Sequence, residues 1–247
     1  MSKNINIIDA FWEKRNLGIS VYEVTIDERA NVEELDSIDK LNGDLIFVKI
    51  NCNNTDVIER ISQNKFTYTE NQFSIQKKIK NHIVSDLHMT TLNFLESHSI
   101  SNVSEAKIIF DELDRGLFTT DRISLDKNFG IKISNLRYKN WIYDMINNGN
   151  YECCIIRTKN NKTPVSFYIN KYDGDISQCI LGGVFNDFKN RGFGHSFIYF
   201  SIENSIKQNC KILKTQISSN NIPVFNIYSS VFGFEIKENY VVFKKHI

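Results

Sequence analysis

The sequence is short of the residues that break a chain and of those that staple one. Two prolines occur in 247 residues, Pro164 and Pro223. There is no Pro- or Ser-rich linker and no low-complexity tract, so any two lobes of the chain are expected to be tightly joined. The five cysteines (Cys52, Cys153, Cys154, Cys179 and Cys210) are odd in number and include no C-x-x-C. They read as free thiols in a reducing cytoplasm, with the adjacent Cys153 and Cys154 on opposite faces of a strand. The five histidines show no metal-ligand spacing, and no metal is expected. No apolar run approaches the ~20 residues of a membrane helix, and the amino terminus carries no secretory pattern. Neither sign of charge is in excess. The 30 basic and 29 acidic residues leave +1, which gives no field for nucleic acid or an anionic membrane. With 41% hydrophobic and 24% charged residues, the composition is that of an ordinary globular protein, long enough for a substantial core.

Against that background one stretch stands out. From Ile180 to His195 the chain reads I-L-G-G-V-F-N-D-F-K-N-R-G-F-G-H. An apolar run ends at Val184-Phe185, a glycine-containing turn follows, and 196–208 then carries Phe197, Ile198, Ile202 and Ile206 at helical spacing. Such a turn presents successive backbone N–H groups at a helix N-terminus, where the free donors and the positive end of the helix dipole favour a diphosphate. Gly192 and Gly194 keep side chains out of the way. Two better-known phosphate loops are excluded. The Gly-Lys-Ser/Thr ending of a P-loop is missing, and G-x-G-x-x-G fails because position 197 is Phe.

A second pattern lies downstream: Asn221, then Tyr228, then Gly233-Phe234. With both in place the chain resembles the GNAT acyltransferases, which bind acyl-coenzyme A. Their diphosphate turn runs Gln/Arg-x-x-Gly-x-Gly/Ala, and Lys189 here takes the first position. Their later motif places Asn, Tyr seven residues on, and then Gly-Phe. The resemblance implies an α/β fold with a mixed, splayed sheet flanked by helices, and acetyl-CoA as cosubstrate. It also implies roles for particular residues. The backbone of Val184 and Phe185 meets the pantetheine. Lys189, Asn190, Arg191, Gly192, Phe193, Gly194 and His195 surround the phosphates. Asn221 lies beside the coenzyme, and Tyr228 acts as general acid toward the departing thiolate.

The rest of the chain divides at about residue 100. Residues 1–100 read as a smaller α/β lobe, degenerate and GNAT-like, and 101–247 as the catalytic domain. Within the first part, 30–41 reads as an acidic helix, 45–50 as a buried strand, 55–62 as a helix capped by Asn54 or Thr55, and 66–79 as one or two strands. In the second part, 151–157, 165–170, 176–185 and 211–218 read as strands, with a final hairpin from 235–237 and 240–243. Asp173-Gly174-Asp175 reads as a solvated turn rather than a carboxylate pair.

The stretch 118–126 and the helix carrying Tyr138 and Trp141 are similar to a GNAT subgroup that acetylates nucleotide-linked amino sugars. That similarity implies an acceptor pocket formed by Phe118, Arg122 and Asp126. Tyr138 and Trp141 read instead as an (i, i+3) contact. A sugar amine is less basic than lysine, so a weak base suffices, with Asp121, Asp126 and Glu112 as candidates. The function so implied is transfer of an acetyl group from acetyl-CoA to a nucleotide-linked amino-deoxy sugar by a cytoplasmic enzyme, with a homodimer as its assembly. Two alternatives stand beside it: acetylation of another primary amine (a polyamine, an antibiotic or a protein N-terminus), and a non-catalytic CoA-binding module.

Overall fold

The computed structural model describes residues 4–80 and 84–247. Ten strands form one mixed sheet. In chain order they are β1 (Ile5–Asp9), β2 (Val21–Ile26), β3 (Leu45–Asn51), β4 (Thr67–Lys78), β5 (Leu95–Ile100), β6 (Tyr151–Thr158), β7 (Pro164–Asp173), β8 (Ile176–Val184), β9 (Ile212–Ser218) and β10 (Glu235–His246). Their spatial order is β1-β2-β3-β10-β4-β9-β8-β7-β6-β5. The last strand of the chain therefore lies between β3 and β4, and one sheet runs across residue 100. The carboxy-terminal hairpin expected from the sequence is instead this single strand, kinked by a register shift between Ile236 and Glu238. The irregularity falls where the alternation of side chains is interrupted, and pairing resumes on both flanks.

Helices cover both faces. On one side lie α1 (Trp12–Leu17), α5 (Lys107–Asp114) and α6 (Gly130–Asn148). This face buries Ile109, Leu113, Ile142 and Met145 against Cys153, Ile155, Phe167 and Ile169. On the other side lie α2 (Asp36–Asp39), α3 (Thr55–Gln63), α7 (Ser196–Lys207) and α8 (Ile222–Asn226), while α4 (Asp86–Leu92) leads into β5. Here Phe197, Ile198 and Ile202 pack on Cys154, Ile156, Val165, Leu213 and Ile217. Cys153 and Cys154 thus enter cores on opposite faces, as period-2 alternation requires, and all five cysteines are free.

The expected helix over 30–41 is broken into a 3-10 turn, Val32–Leu35, and the short α2. Asn31 and Glu34 form a reciprocal capping box at its start. The Asp and Ser residues that follow favour caps and turns over a helix interior. The 55–62 helix is present with Asn54 as its cap.

Two pairs of strands in the sheet are parallel. β2 and β3 match over six residue pairs, from Val21–Leu45 to Ile26–Ile50. β8 and β9 match over three, ending at Gln178–Lys214. Beyond that point they part. The cause is visible in β8, where Ile169 of β7 faces Leu181 and Asn170 faces Cys179, leaving Ile180 as an extra residue. Such a bulge bends its strand, and β8 then follows β7 to Val184.

Candidate active site

The fork between β8 and β9 opens into a cleft of about 760 Å³. Thr215 Oγ1 donates to the Cys179 carbonyl at 2.9 Å, a tie just past the last paired residues. Beyond it, backbone polarity is set by alternation. The Phe185 N–H bonds the Val165 carbonyl at 2.9 Å, so Val184 and Gly182 turn their N–H and C=O groups toward the gap. Of the two residues expected to meet a pantetheine chain, Val184 turns its backbone groups to the gap. Phe185 does not, because its N–H is used by β7 and its ring stacks on Phe167. Gly182, which the sequence reading passed over, takes that place.

The glycine pair also lets aromatic rings close on β8 from both sides. A Cβ on Gly182 would lie 2.6 Å from Phe197 of α7, and one on Gly183 would lie 3.2 Å from Phe118. Phe118 therefore lines the cleft, as expected, from the face that carries α5 and α6.

After β8 the chain makes a 3-10 turn, Asn186–Phe188. Glu112 of α5 fixes that turn by accepting from the Asn186 N–H at 2.6 Å and its side-chain amide at 2.7 Å. Asn190 and Gly192 follow with φ of 60° and 80°. Among the described residues, the N–H groups of Gly192, Phe193, Gly194 and His195 have no backbone acceptor. They sit directly before α7, which is the arrangement that suits an anion. A Cβ on Gly194 would lie 2.6 Å from the Cδ1 end of Ile227, so a larger residue there would push that side chain aside. Lys189 departs from expectation. Its ammonium bonds the Leu117 carbonyl at 2.7 Å, so it ties the turn to the loop before α6. Arg191 is exposed. His195 precedes the first residue of α7 and lies against His88, with ring centroids 4.8 Å apart. Burial and then the neighbouring His88 lower its pKa, so it is neutral near pH 7.

Tyr228 lies in a π-helical turn, Ile227–Val231, that continues α8. Its ring is held edge-on by Phe234 and Phe197, at 4.8 and 6.4 Å. Its hydroxyl reaches Cys179 and Thr215 at the fork. Burial holds the phenol protonated, well above its ordinary value. Asn221, at the start of α8, also lines the cleft.

The opposite wall is built from α1, α6, the 118–126 loop and the face of β3 and β4. Arg122 lies over the Phe47 ring at 4.3 Å and pairs with Glu23 at 2.5 Å. Tyr138 lies tilted against Phe118 and stacks on Trp141, with ring centroids at 4.7 and 6.2 Å. The expected (i, i+3) contact is present, and both rings also line the cleft. Asp126 does not line it. It is buried with Lys244 and His246 of β10, at 2.6 and 2.9 Å. Of the 118–126 acceptor residues, Phe118 and Arg122 come together and Asp126 stands apart. Loops spread residues over three dimensions, so neighbours in sequence need not share a wall. Among the described residues no group of His, Cys, Asp and Glu has the arrangement of a metal site, and no helix is long and apolar enough to cross a membrane. His82 lies outside the described residues.

Solved structures share the overall arrangement of this chain. The fold is that of the GCN5-related N-acetyltransferases. The chain is similar to a GCN5-related N-acetyltransferase from Sphaerobacter thermophilus, with a TM-score of 0.64 at 8% identity over 98% of this chain and 75% of that one. A second, from Kribbella flavida, gives 0.55 at 10% identity over 92% and 81%. A third is a GCN5-related glucosamine N-acetyltransferase region of a fungal multi-domain beta-N-acetylglucosaminidase, at 0.64 and 9% identity, covering 98% of this chain and 31% of that one. No family model and no curated protein matches the sequence.

Proposed function

We propose that the chain is an acyl-CoA-dependent N-acetyltransferase whose acceptor is the amine of an amino-deoxy sugar, with nucleotide-linked forms as the extended members of that class. The observation that carries the reaction is the fork. Backbone groups of Gly182 and Val184 face a gap beside the Tyr228 hydroxyl, and β8 runs on into the turn whose 192–195 N–H groups have no backbone acceptor. Acetyl-CoA fits this layout: the turn holds the diphosphate, β8 pairs with the pantetheine amides as an added strand would, and the thioester supplies the acetyl group beside Tyr228. A protonated phenol there gives its proton to the thiolate as it leaves. Arg191 adds positive charge at the exposed end of the turn.

The acceptor assignment rests on the other wall. Four cations and five carboxylates line the cleft, and Arg15, Arg122 and Arg137 are paired with Asp144, Glu23 and Glu13. This nearly balanced field suits neither a polyamine nor a wholly anionic acceptor. The rings of Trp12, Phe47, Tyr138 and Trp141 offer flat apolar surface to the C–H face of a sugar. Arg15, half exposed at the cleft, is placed for a diphosphate on a longer acceptor. The test is thiol release from acetyl-CoA with D-glucosamine, TDP- and UDP-linked amino sugars, spermidine and a peptide N-terminus. Turnover of the sugars above the others is expected. Preference for spermidine or the peptide overturns the sugar assignment. Tight acetyl-CoA binding without turnover on any amine leaves a CoA-binding module instead.

A further inference from the structure

Acetyl transfer to an ammonium needs a group that removes its proton, and the cleft holds several carboxylates. Most are already committed. Glu13 pairs with Arg137, Glu23 with Arg122 and Asp144 with Arg15. Asp121 accepts from the Ile123 and Ser124 N–H groups and takes the Ser134 hydroxyl on both oxygens, at 2.8 to 3.1 Å. It is the anchor of its loop. Glu112 accepts from Arg115 and Asn186, and Asp126 lies outside the cleft. A charge neutralised by a guanidinium, or satisfied by several donors, is a poor proton acceptor.

Glu70 differs in each respect. It stands on β4, is 3% exposed, and lines the same cleft as Tyr228. One neutral donor, the Ser218 hydroxyl of β9, bonds its Oε2. Among the described residues no salt bridge neutralises it. Its face of the sheet is fixed by register: Glu70 opposes Val242, Val242 opposes Lys49, and Gln72 opposes Ser218. These residues share the face that carries Phe47, Arg122 and α6. Tyr228 approaches from the other face, with α7 and α8. The fork thus has a proton donor on one side of the sheet and an uncommitted carboxylate on the other.

We propose that Glu70 is the catalytic base that takes the proton from the acceptor ammonium, directly or through one water. This rests on the acetyltransferase reading above. The freed lone pair forms the N–C bond and the C–S bond breaks. Tyr228 gives its proton to sulfur, and the second proton lost by nitrogen replaces it through solvent, so protons balance. The groups around Glu70 tune its readiness. Burial raises its carboxyl above the ordinary range, and the neighbouring Asp121 adds to that. The Ser218 hydroxyl, Arg122 and the Lys49 ammonium, which rests on the Tyr240 ring, act in the opposite direction. Lys49 is itself pushed down to about 8, by burial and by Arg122.

The experiment uses the full chain, acetyl-CoA and the fastest amine of the panel above, with kcat/KM for the amine followed against pH. Glu70→Gln should lower it by ~10²–10⁴-fold at neutral pH, with Kd for acetyl-CoA within twofold of wild type, and Glu70→Asp should recover part of the loss. Ser218→Ala removes a bond to the charged form, so the acid limb of the profile should move to higher pH. Wild-type rate and limb in Glu70→Gln overturn the proposal while leaving the acetyltransferase reading intact. So does an equal loss of acetyl-CoA binding, which makes Glu70 structural. If Glu70→Gln does not fold, an unmoved limb in Ser218→Ala overturns it. No transfer by the wild type to any amine removes both readings together.

Discussion

Two parallel strand pairs flank the centre of this sheet, and they have opposite fates. β2 and β3 stay joined for their whole matched length, Val21–Ile26 against Leu45–Ile50. β8 and β9 separate after Gln178 and Lys214. The closed pair has apolar side chains on both faces. Val24, Ile26, Ile46, Val48 and Ile50 enter one core, while Val21, Leu45 and Phe47 enter another. Nothing there interrupts the ladder. The open pair has an extra residue at Ile180, followed by two glycines whose missing Cβ atoms admit Phe197 and Phe118. Opening a parallel pair leaves backbone groups unpaired, which is unfavourable unless something else bonds them. A cosubstrate with amides is such a partner. On this comparison the closed pair serves as framework and the open pair as the proposed site.

The largest effect expected from breaking the open side alone comes from Tyr228→Phe. Packing against Phe197 and Phe234 survives, and only the hydroxyl proposed as proton donor is lost. Single-turnover rates with the best amine should fall by ~10²–10⁴-fold, roughly 3–5 kcal/mol of barrier. Kd for acetyl-CoA should change little, because the proton is needed only as the thiolate departs. A folded variant with the wild-type chemical rate reduces Tyr228 to a core residue.

On the framework side, Asp126→Asn should reduce stability on the order of 3 kcal/mol, read by denaturant unfolding, and leave the acceptor KM unchanged. The Lys244 and His246 partners lie on β10 opposite β3. Burial opposes ionisation of Asp126, but Lys244, the Asn128 N–H and His246 together bring its pKa below the ordinary carboxylate range. A depressed folded pKa means that this stabilisation is present above the unfolded value of ~3.9 and disappears as pH falls through the folded one. The difference between wild type and variant should therefore shrink in acid. A raised acceptor KM at unchanged stability would return Asp126 to the site.

The smallest expected effect sharpens the stoichiometry. Gly192 has φ of +80° and open space around it, so Gly192→Val strains the turn and crowds the N–H groups rather than disturbing the core. Calorimetry should show acetyl-CoA bound about tenfold more weakly. The wild type should bind one molecule per chain, at the open pair. Two equivalent molecules per chain would mean that β2 and β3 also open, and the distinction between the pairs would fail.

Much of this was readable from local pattern. The strands around the site, β6 to β9, were found because they are dense in β-branched and apolar residues bounded by turns, and α7 because its apolar residues recur at helical spacing. The order of Gly192, Gly194, Asn221 and Tyr228 pointed to the fold through its resemblance to the GNAT motifs. Other features had no local signal. The extra residue at Ile180 looks like any apolar strand residue until its partners in β7 are known. The segment holding Glu70, T-Y-T-E-N-Q, reads only as part of one or two strands. Its carboxylate is buried only because β10 and β9 flank β4 and the 118–126 loop closes above.

The sequence by itself determined the class of element at most positions near the site and the turn before α7, since hydrophobic period and backbone permissiveness are properties of neighbouring residues. Tertiary structure decided what the site contains. It chose which β8 groups face the gap, because alternation restarts at a bulge. It sent Lys189 to the Leu117 carbonyl and Asp126 to Lys244, because burial favours whichever partner lies in reach. It also brought Glu70, from far earlier in the chain, to the cleft that Tyr228 enters from the other face, because only the sheet's register sets which strands become neighbours.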